Sequence, residues 1–300
     1  MTLRKLILIL LLVSSPLYAA SLQMITDLGT SARMIGIGRV EGFDTTAAAL
    51  FENPASLYNL ENISLSGFST RLIDQVDYFN TAVAYKSPIG TLAVGVMQAA
   101  VTDIPLSVKS GGVVSYAGQD FGYRNVVGKL GYQLTPMDHV HIGAALNLYY
   151  QEIYTTIGKG YNTDVGAIWE LDQLTLSAAL KNVIFFKDMN YSNGSSEDIP
   201  VQGTLAARYA MDEVDLYGQI RMPELKKQIL PSAGIKYQPH SGLLYFSAGY
   251  NGFLVMDKPK STIAIGLGLD LAPVHVNFAY DKSDYFEQDN RYFISLAVNM

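Results

Sequence analysis

Four histidines, His139, His141, His240 and His275, are the first candidates for proton transfer or metal ligation in this 300-residue chain. None stands in a spacing that builds a site. No HExxH pair, GxSxG elbow or closely spaced pair of carboxylates accompanies them, so zinc hydrolysis, serine-type acyl transfer and paired-carboxylate chemistry have no basis in the sequence. The stretch "GIGRVEG", Gly36 to Gly42, is one residue longer than a dinucleotide fingerprint and follows no parallel-strand unit. Cysteine is absent, which removes disulfides, thiolate metal sites and thiol nucleophiles together. The expectation is a chain that is not an enzyme and uses no cofactor and no metal. Net charge is −6, and −8 if a leader carrying Arg4 and Lys5 is removed, so nucleic acid is not an expected partner.

The polar residues that remain must be positioned by strands. From Val140 to Tyr150 apolar and polar positions alternate: Val140, Ile142, Ala144, Leu146, Leu148 and Tyr150 share one face, and His141, Gly143, Ala145, Asn147 and Tyr149 the other. The same period recurs in fourteen segments between Asn62 and the final residues. Their connections alternate short ("SPIG", "TPMD", "LDQ", "MDE", "QPHSG", "AP") with longer polar ones such as "SVKSGGVVSYAGQ", "FFKDMNYSNGSSED", "FLVMDKPK" and "KSDYFEQDN". That rhythm fits an up-and-down antiparallel β-barrel in an outer membrane, with tight periplasmic turns and long outer loops. Aromatic residues agree with it. Tyr85, Tyr132, Trp169, Tyr209 and Tyr237 fall on the apolar faces near the short turns, and Phe79, Tyr150, Tyr250, Tyr280 and Tyr292 near the long connections, as two interfacial girdles would. Lipid forces the sheet to close, because an unpaired strand edge in hydrocarbon is costly. Inward faces then carry small residues (Ala82, Ala84, Ala93, Gly95) and the polar Asn80, Lys86, Lys181, Asp215, Gln219 and Arg221, which solvate a wet lumen or select a solute. The histidines fall in or beside the short turns, at the periplasmic end.

Residues ahead of the strands do not continue the pattern. Met1 to Ala20 reads as a signal peptide: Arg4 and Lys5, an apolar run from Leu6 to Val13, then small residues suited to cleavage. Residues 21–61 hold a glycine-rich piece and a short helix within "DTTAAALFENPASL", which Asp44 or Thr45 would cap and Pro54 would stop. Met34, Ile35, Ile37, Phe43, Leu50 and Phe51 make this segment apolar, and the lumen of a barrel over residues 62–300 is the economical place for it, as a hatch.

From Gly29 through "SARMIGIGRVEGFDTTAAALFENPASL" the chain resembles the N-terminal hatch signature of FadL-like outer-membrane proteins, especially the PorV/PorQ branch. Ala32-Arg33, Gly36, Gly38, Asp44, Ala47 to Ala49, Asn53-Pro54-Ala55 and Leu57 carry the likeness; Ser56 stands where the pattern has glycine. The resemblance implies a fourteen-stranded barrel of the bacterial outer membrane, contacting its lipid and closed by an N-terminal hatch. It further implies passive uptake of hydrophobic small molecules such as long-chain fatty acids, with sideways exit near the hatch. For the PorV branch it implies a non-transporting partner in protein secretion. The positions it singles out are Phe51, Asn53, Pro54 and Ala55, with the hatch glycines Gly36 and Gly38. Gly95 in the third strand is the expected weak place, open to a kink or bulge beside the Asn53-Pro54-Ala55 turn.

Overall fold

The computed structural model describes residues 28–72, 75–110, 112–183, 188–225, 228–255, 258–283 and 291–300. The expected signal peptide and residues 21–27 of the expected hatch lie outside the described residues, as does most of "KSDYFEQDN". Sixteen strands follow the N-terminal segment: β1 Ile63–Leu72, β2 Val76–Ser87, β3 Gly90–Ser110, β4 Val113–Met137, β5 Val140–Ile153, β6 Thr156–Leu171, β7 Leu174–Lys181 and β8 Asp188–Tyr191, then β9 Ser196–Asp198, β10 Gln202–Met211, β11 Val214–Met222, β12 Leu230–Tyr237, β13 Leu244–Val255, β14 Lys258–Leu271, β15 Val274–Ser283 and β16 Arg291–Asn299.

Fourteen of these form one closed antiparallel barrel, in which β1 pairs with both β2 and β16 and β7 with β10. The remaining two, β8 and β9, make a small hairpin that borders the outer end of β6. At the seam, Ile63 and Met300 exchange both backbone hydrogen bonds at 2.8 Å. Closure through the β5–β6 pairing leaves no free strand edge in the barrel wall.

The side-chain distribution is inverted relative to a water-soluble sandwich. On β5, Leu148 is 57% exposed while its neighbour Asn147 is 1% exposed. Leu65, Val94, Leu130, Ile220, Ile265 and Leu296 are likewise outside, and Asn80, Gln133, Asp164, Gln219 and Asn277 inside. An apolar exterior of this extent is unstable in water and matches hydrocarbon. Tyr85, Tyr132, Trp169, Tyr209 and Tyr237 are all exposed at the short-turn end, and Tyr280 meets Tyr292 at 5.3 Å between ring centroids near the other.

Two expectations about the connections need correction. "SVKSGGVVSYAGQ" is not an irregular loop: β3 and β4 run on as a paired ribbon to the Ser110↔Val113 pair, well past Val76 and Ile153 where β2 and β5 end. "FLVMDKPK" likewise belongs largely to β13 and β14, which pair out to Val255↔Lys258. Polar side chains there report a watery surrounding, and a ladder that satisfies its own backbone groups can continue into water.

Candidate functional site: the N-terminal segment against the inner wall

Residues 28–60 bond to the inner face of strands all round the barrel. The segment has three short helical pieces: α1 Ala32–Gly36, α2 Ala49–Glu52 and a 3-10 turn Pro54–Asn59. Ser31 caps α1, its hydroxyl accepting from Met34 N at 3.1 Å. A helix of five residues has almost no stability of its own, so the wall must hold it. The expected cap of α2 is corrected. Neither Asp44 nor Thr45 caps it, because its first flanking residue is Ala48. Asp44 instead turns back on itself, accepting from both the amide and the hydroxyl of Thr46 at 2.8 and 2.6 Å, a local bond with which aspartate competes against helix capping.

Asn53 ends α2 and begins the 3-10 turn. Its Oδ1 accepts from Ala55 N at 3.0 Å, and its Nδ2 donates to Ser177 Oγ at 2.9 Å and to the Ala178 carbonyl at 3.2 Å. Pro54 fits as the first residue of that turn, where its missing N–H is not needed. The turn rests on glycine: a Cβ on Gly143 of β5 would stand 2.5 Å from Ala55 N. Further round, a Cβ on Gly36 would lie 3.0 Å from the Cα of Gly266. Gly38, at φ +77°, presses against the Ala233 and Tyr250 carbonyls, a conformation and closeness that only glycine accepts.

The Asn53-Pro54-Ala55 turn therefore lies on the β5–β7 side. Gly95 meets a different residue of the segment, since a Cβ there would come within 2.6 Å of Phe51 Cζ. No bulge exists at Gly95; the ladder runs unbroken through Ala82↔Gly95 and Gly95↔Lys129, and the irregularities of β3 lie at 101–107. Gly95 is needed for room, not for bending.

Charges form the part that the sequence did not reveal. Buried Arg39 reaches Asp281 at 2.7 Å, and Arg291 reaches the other oxygen of the same carboxylate at 2.6 Å. Glu41 pairs with Lys181 at 2.7 Å, and its amide donates to Gln219 at 2.8 Å. Ala32 N and Ala47 N donate to Ser295 Oγ and Ser64 Oγ at 3.1 and 2.9 Å. Asn80 donates to the Thr30 carbonyl at 2.9 Å. Of the other inward polar residues, Asp215 takes Lys236 at 2.9 Å, Arg221 is buried, and Lys86, near the turn end, donates to the carbonyls of Tyr58 and Leu60.

Three of the four histidines each sit beside a local carboxylate: His141 with Glu170 at 3.0 Å, His275 with Asp270 at 2.9 Å, and His240 with Glu213. His139 sits in the β4–β5 turn. His141 also stacks on Tyr58 at 3.6 Å, pinning the end of the 3-10 turn to the short-turn rim.

Toward the longer connections part of the inner face is apolar: Ser64 and Ser66 of β1 give way to Phe68 and Leu72, Gly95 of β3 to Met97, Lys129 of β4 to Val127, and Ser295 of β16 to Phe293, while Thr70, Asn125, Gln151, Asn162 and Arg291 keep the rest of it polar. Phe68 packs edge-on to Tyr78 at 5.7 Å and parallel to Phe293 at 6.0 Å. Lower down, between the segment and β1, β2 and β14–β16, a cavity of ≈ 20 Å³ is lined by Arg33, Asp44, Asn80, His275 and Asn277; it has room for about one water.

Fold and site together define a closed fourteen-stranded barrel of the outer-membrane type whose inside is occupied by its own N-terminal segment. The same architecture is found in the Pseudomonas putida toluene transporter TodX (13% identity, TM-score 0.64, covering 91% of this chain and 98% of that one). It recurs in the Ralstonia pickettii toluene transporter TbuX (12%, 0.57, 90% and 97%) and a Pseudomonas aeruginosa FadL homologue (10%, 0.56, 90% and 98%). At such identities the likeness concerns the fold. No family model matches the chain, and no curated protein matches it.

Proposed function

We propose that this protein is a FadL-like channel of the bacterial outer membrane that admits hydrophobic small molecules from outside past an N-terminal hatch formed by residues 21–61. The observation that carries this is the apolar, aromatic cluster of Phe68, Tyr78, Met97, Val127 and Phe293 on the inner wall, which packs with Ile35, Leu50 and Phe51 of the segment and would line the lumen once the segment moves. A channel for ions or sugars gains nothing from such a lining, whereas an apolar solute leaving water gains about 0.8 kcal/mol per CH₂ buried. The names of the structural neighbours support monoaromatic hydrocarbons as one ligand class, and the hatch resemblance supports long-chain fatty acids. Sideways release belongs to the same reading. With the wall closed at Gly95, it requires the Phe51–Gly95 contact and the local ladder to part.

Cells lacking their own uptake proteins should accumulate labelled toluene or oleate faster when they express this chain, and the chain should fractionate with the outer membrane as a heat-modifiable band. Recovery as a soluble protein, or uptake equal to empty-vector cells for both ligands, defeats the proposal.

A PorV-like secretion partner is the second reading. It is favoured by the β3–β4 ribbon, which projects beyond its neighbouring strands with Val113, Val114 and Tyr116 exposed. Its test is co-purification of a secretion component that is lost when residues 104–121 are shortened.

A further inference from the structure

Glu52, at the end of α2, is 1% exposed. Its carboxyl joins the two limbs of the N-terminal segment: Oε1 lies 2.9 Å from the Thr30 hydroxyl, and Oε2 accepts from the Gly42 amide at 3.1 Å. Among the described residues no basic group pairs with it. Nearby cations are engaged elsewhere, Arg39 on Asp281, Lys181 on Glu41 and Arg33 on the Thr45 hydroxyl. The charged groups facing it within the segment are Asp44, held by Ser31 and Thr46, and Glu41. From the wall, the segment's charges meet Lys181 of β7 and Asp281 of β15, the latter also held by Arg291 of β16. A bare carboxylate here would be buried, uncompensated and beside two others.

The Thr30 hydroxyl accommodates a proton. It stands between Glu52 Oε1 and Met34 Sδ, at 2.9 and 3.2 Å. It can accept from a neutral carboxyl while donating to the sulfur.

We propose that Glu52 is a proton-operated lock on the hatch: neutral, it ties Thr30 to Gly42 and keeps the segment seated; ionised, it releases the segment and opens the lumen. The inference rests on the reading that this segment closes the lumen. Burial, with Asp44 and Glu41 beside it, pushes the carboxyl from 4.5 up to about 8, against the pull of the Gly42 amide and the Thr30 hydroxyl. Released into water, the same group ionises near its ordinary value. Seating is therefore strongest below 4.5, weakens as pH rises, and levels off above about 8. In between, the ratio of open to seated protein grows by up to about tenfold per pH unit.

The test is conductance of the purified full-length protein in planar bilayers from about pH 4 to pH 9. Wild type should conduct increasingly as pH rises, and E52Q should stay at the low acid-side level throughout. T30V, which keeps the carboxyl but removes the hydroxyl that the neutral group ties, should conduct more than wild type on the acid side. An oxidised A47C/S64C pair, which ties the segment to β1, should abolish the rise. A flat wild-type profile, a wild-type slope in E52Q, an unmoved profile in T30V, or a rise that survives cross-linking each overturns the lock. Conductance uses no hydrophobic ligand, so a pH-gated barrel that takes up neither toluene nor oleate would sink the ligand class and leave Glu52 standing. Uptake with flat conductance would do the reverse.

Discussion

Arg39 Nη2 lies 2.7 Å from Asp281 Oδ2, a buried contact between residues 242 apart in sequence that fixes the N-terminal segment to β15. Arg39 also donates to Thr262 of β14 at 3.3 Å, so one guanidinium joins the segment to two strands.

Arg39→Ala should destabilise the seated segment by about 3 kcal/mol, because a buried carboxylate loses one of its two cations. The expected result is increased leakage of small polar solutes in a liposome-swelling assay, with the barrel still assembled. Arg39→Lys should recover only part, lacking the planar fork that reaches Asp281 and Thr262 together. Leakage at the wild-type level in Arg39→Ala would show that this pair does not hold the segment.

Asn53→Ala removes the acceptor of the Ala55 amide and the donor to Ser177 and Ala178, at a cost of about 1–3 kcal/mol for buried groups left unpaired. Asn53→Asp should be worse than alanine. It keeps the Ala55 bond but turns a carboxylate oxygen toward the Ala178 carbonyl, where the amide now donates. Protease sensitivity of the segment in assembled protein should rise in the order wild type, Ala, Asp; the reverse order would contradict this role.

Gly95→Val should act through Phe51, which a Cβ at that position would meet at 2.6 Å. Increased leakage is expected from Gly95→Val, and adding Phe51→Ala should restore closure by vacating the space. The two substitutions must be non-additive, as residues in contact are. Leakage that simply sums would place the effect in the wall.

Much of the barrel was legible in the sequence because lipid imposes a strict period of two: the outward Ile142, Leu146 and Leu148 could not be placed otherwise. Strand ends were less legible. Around Val108 both faces of the ribbon are exposed, and polarity stops reporting backbone conformation. The N-terminal segment was legible as a departure from the period, and Asn53 as the residue that satisfies a buried backbone group. Its charges were not. Arg39 with Asp281 and Glu41 with Lys181 pair over long stretches of the chain, and no local spacing marks them. Gly95 was singled out for the absence of a side chain, but what that absence admits is Phe51 of the segment, which only the closed barrel brings opposite it.

The central claim, that hydrophobic solutes pass only when the hatch moves, is tested most directly by cross-linking it. The chain has no cysteine of its own, so A47C/S64C, built where Ala47 N and Ser64 Oγ are 2.9 Å apart, introduces its only two thiols. Uptake of labelled toluene and of labelled oleate should be measured in the same cells before and after oxidation, and again after reduction. We predict loss of uptake on oxidation and full recovery on reduction, with unchanged barrel in the outer membrane. Equal uptake by the cross-linked and reduced protein would contradict the account.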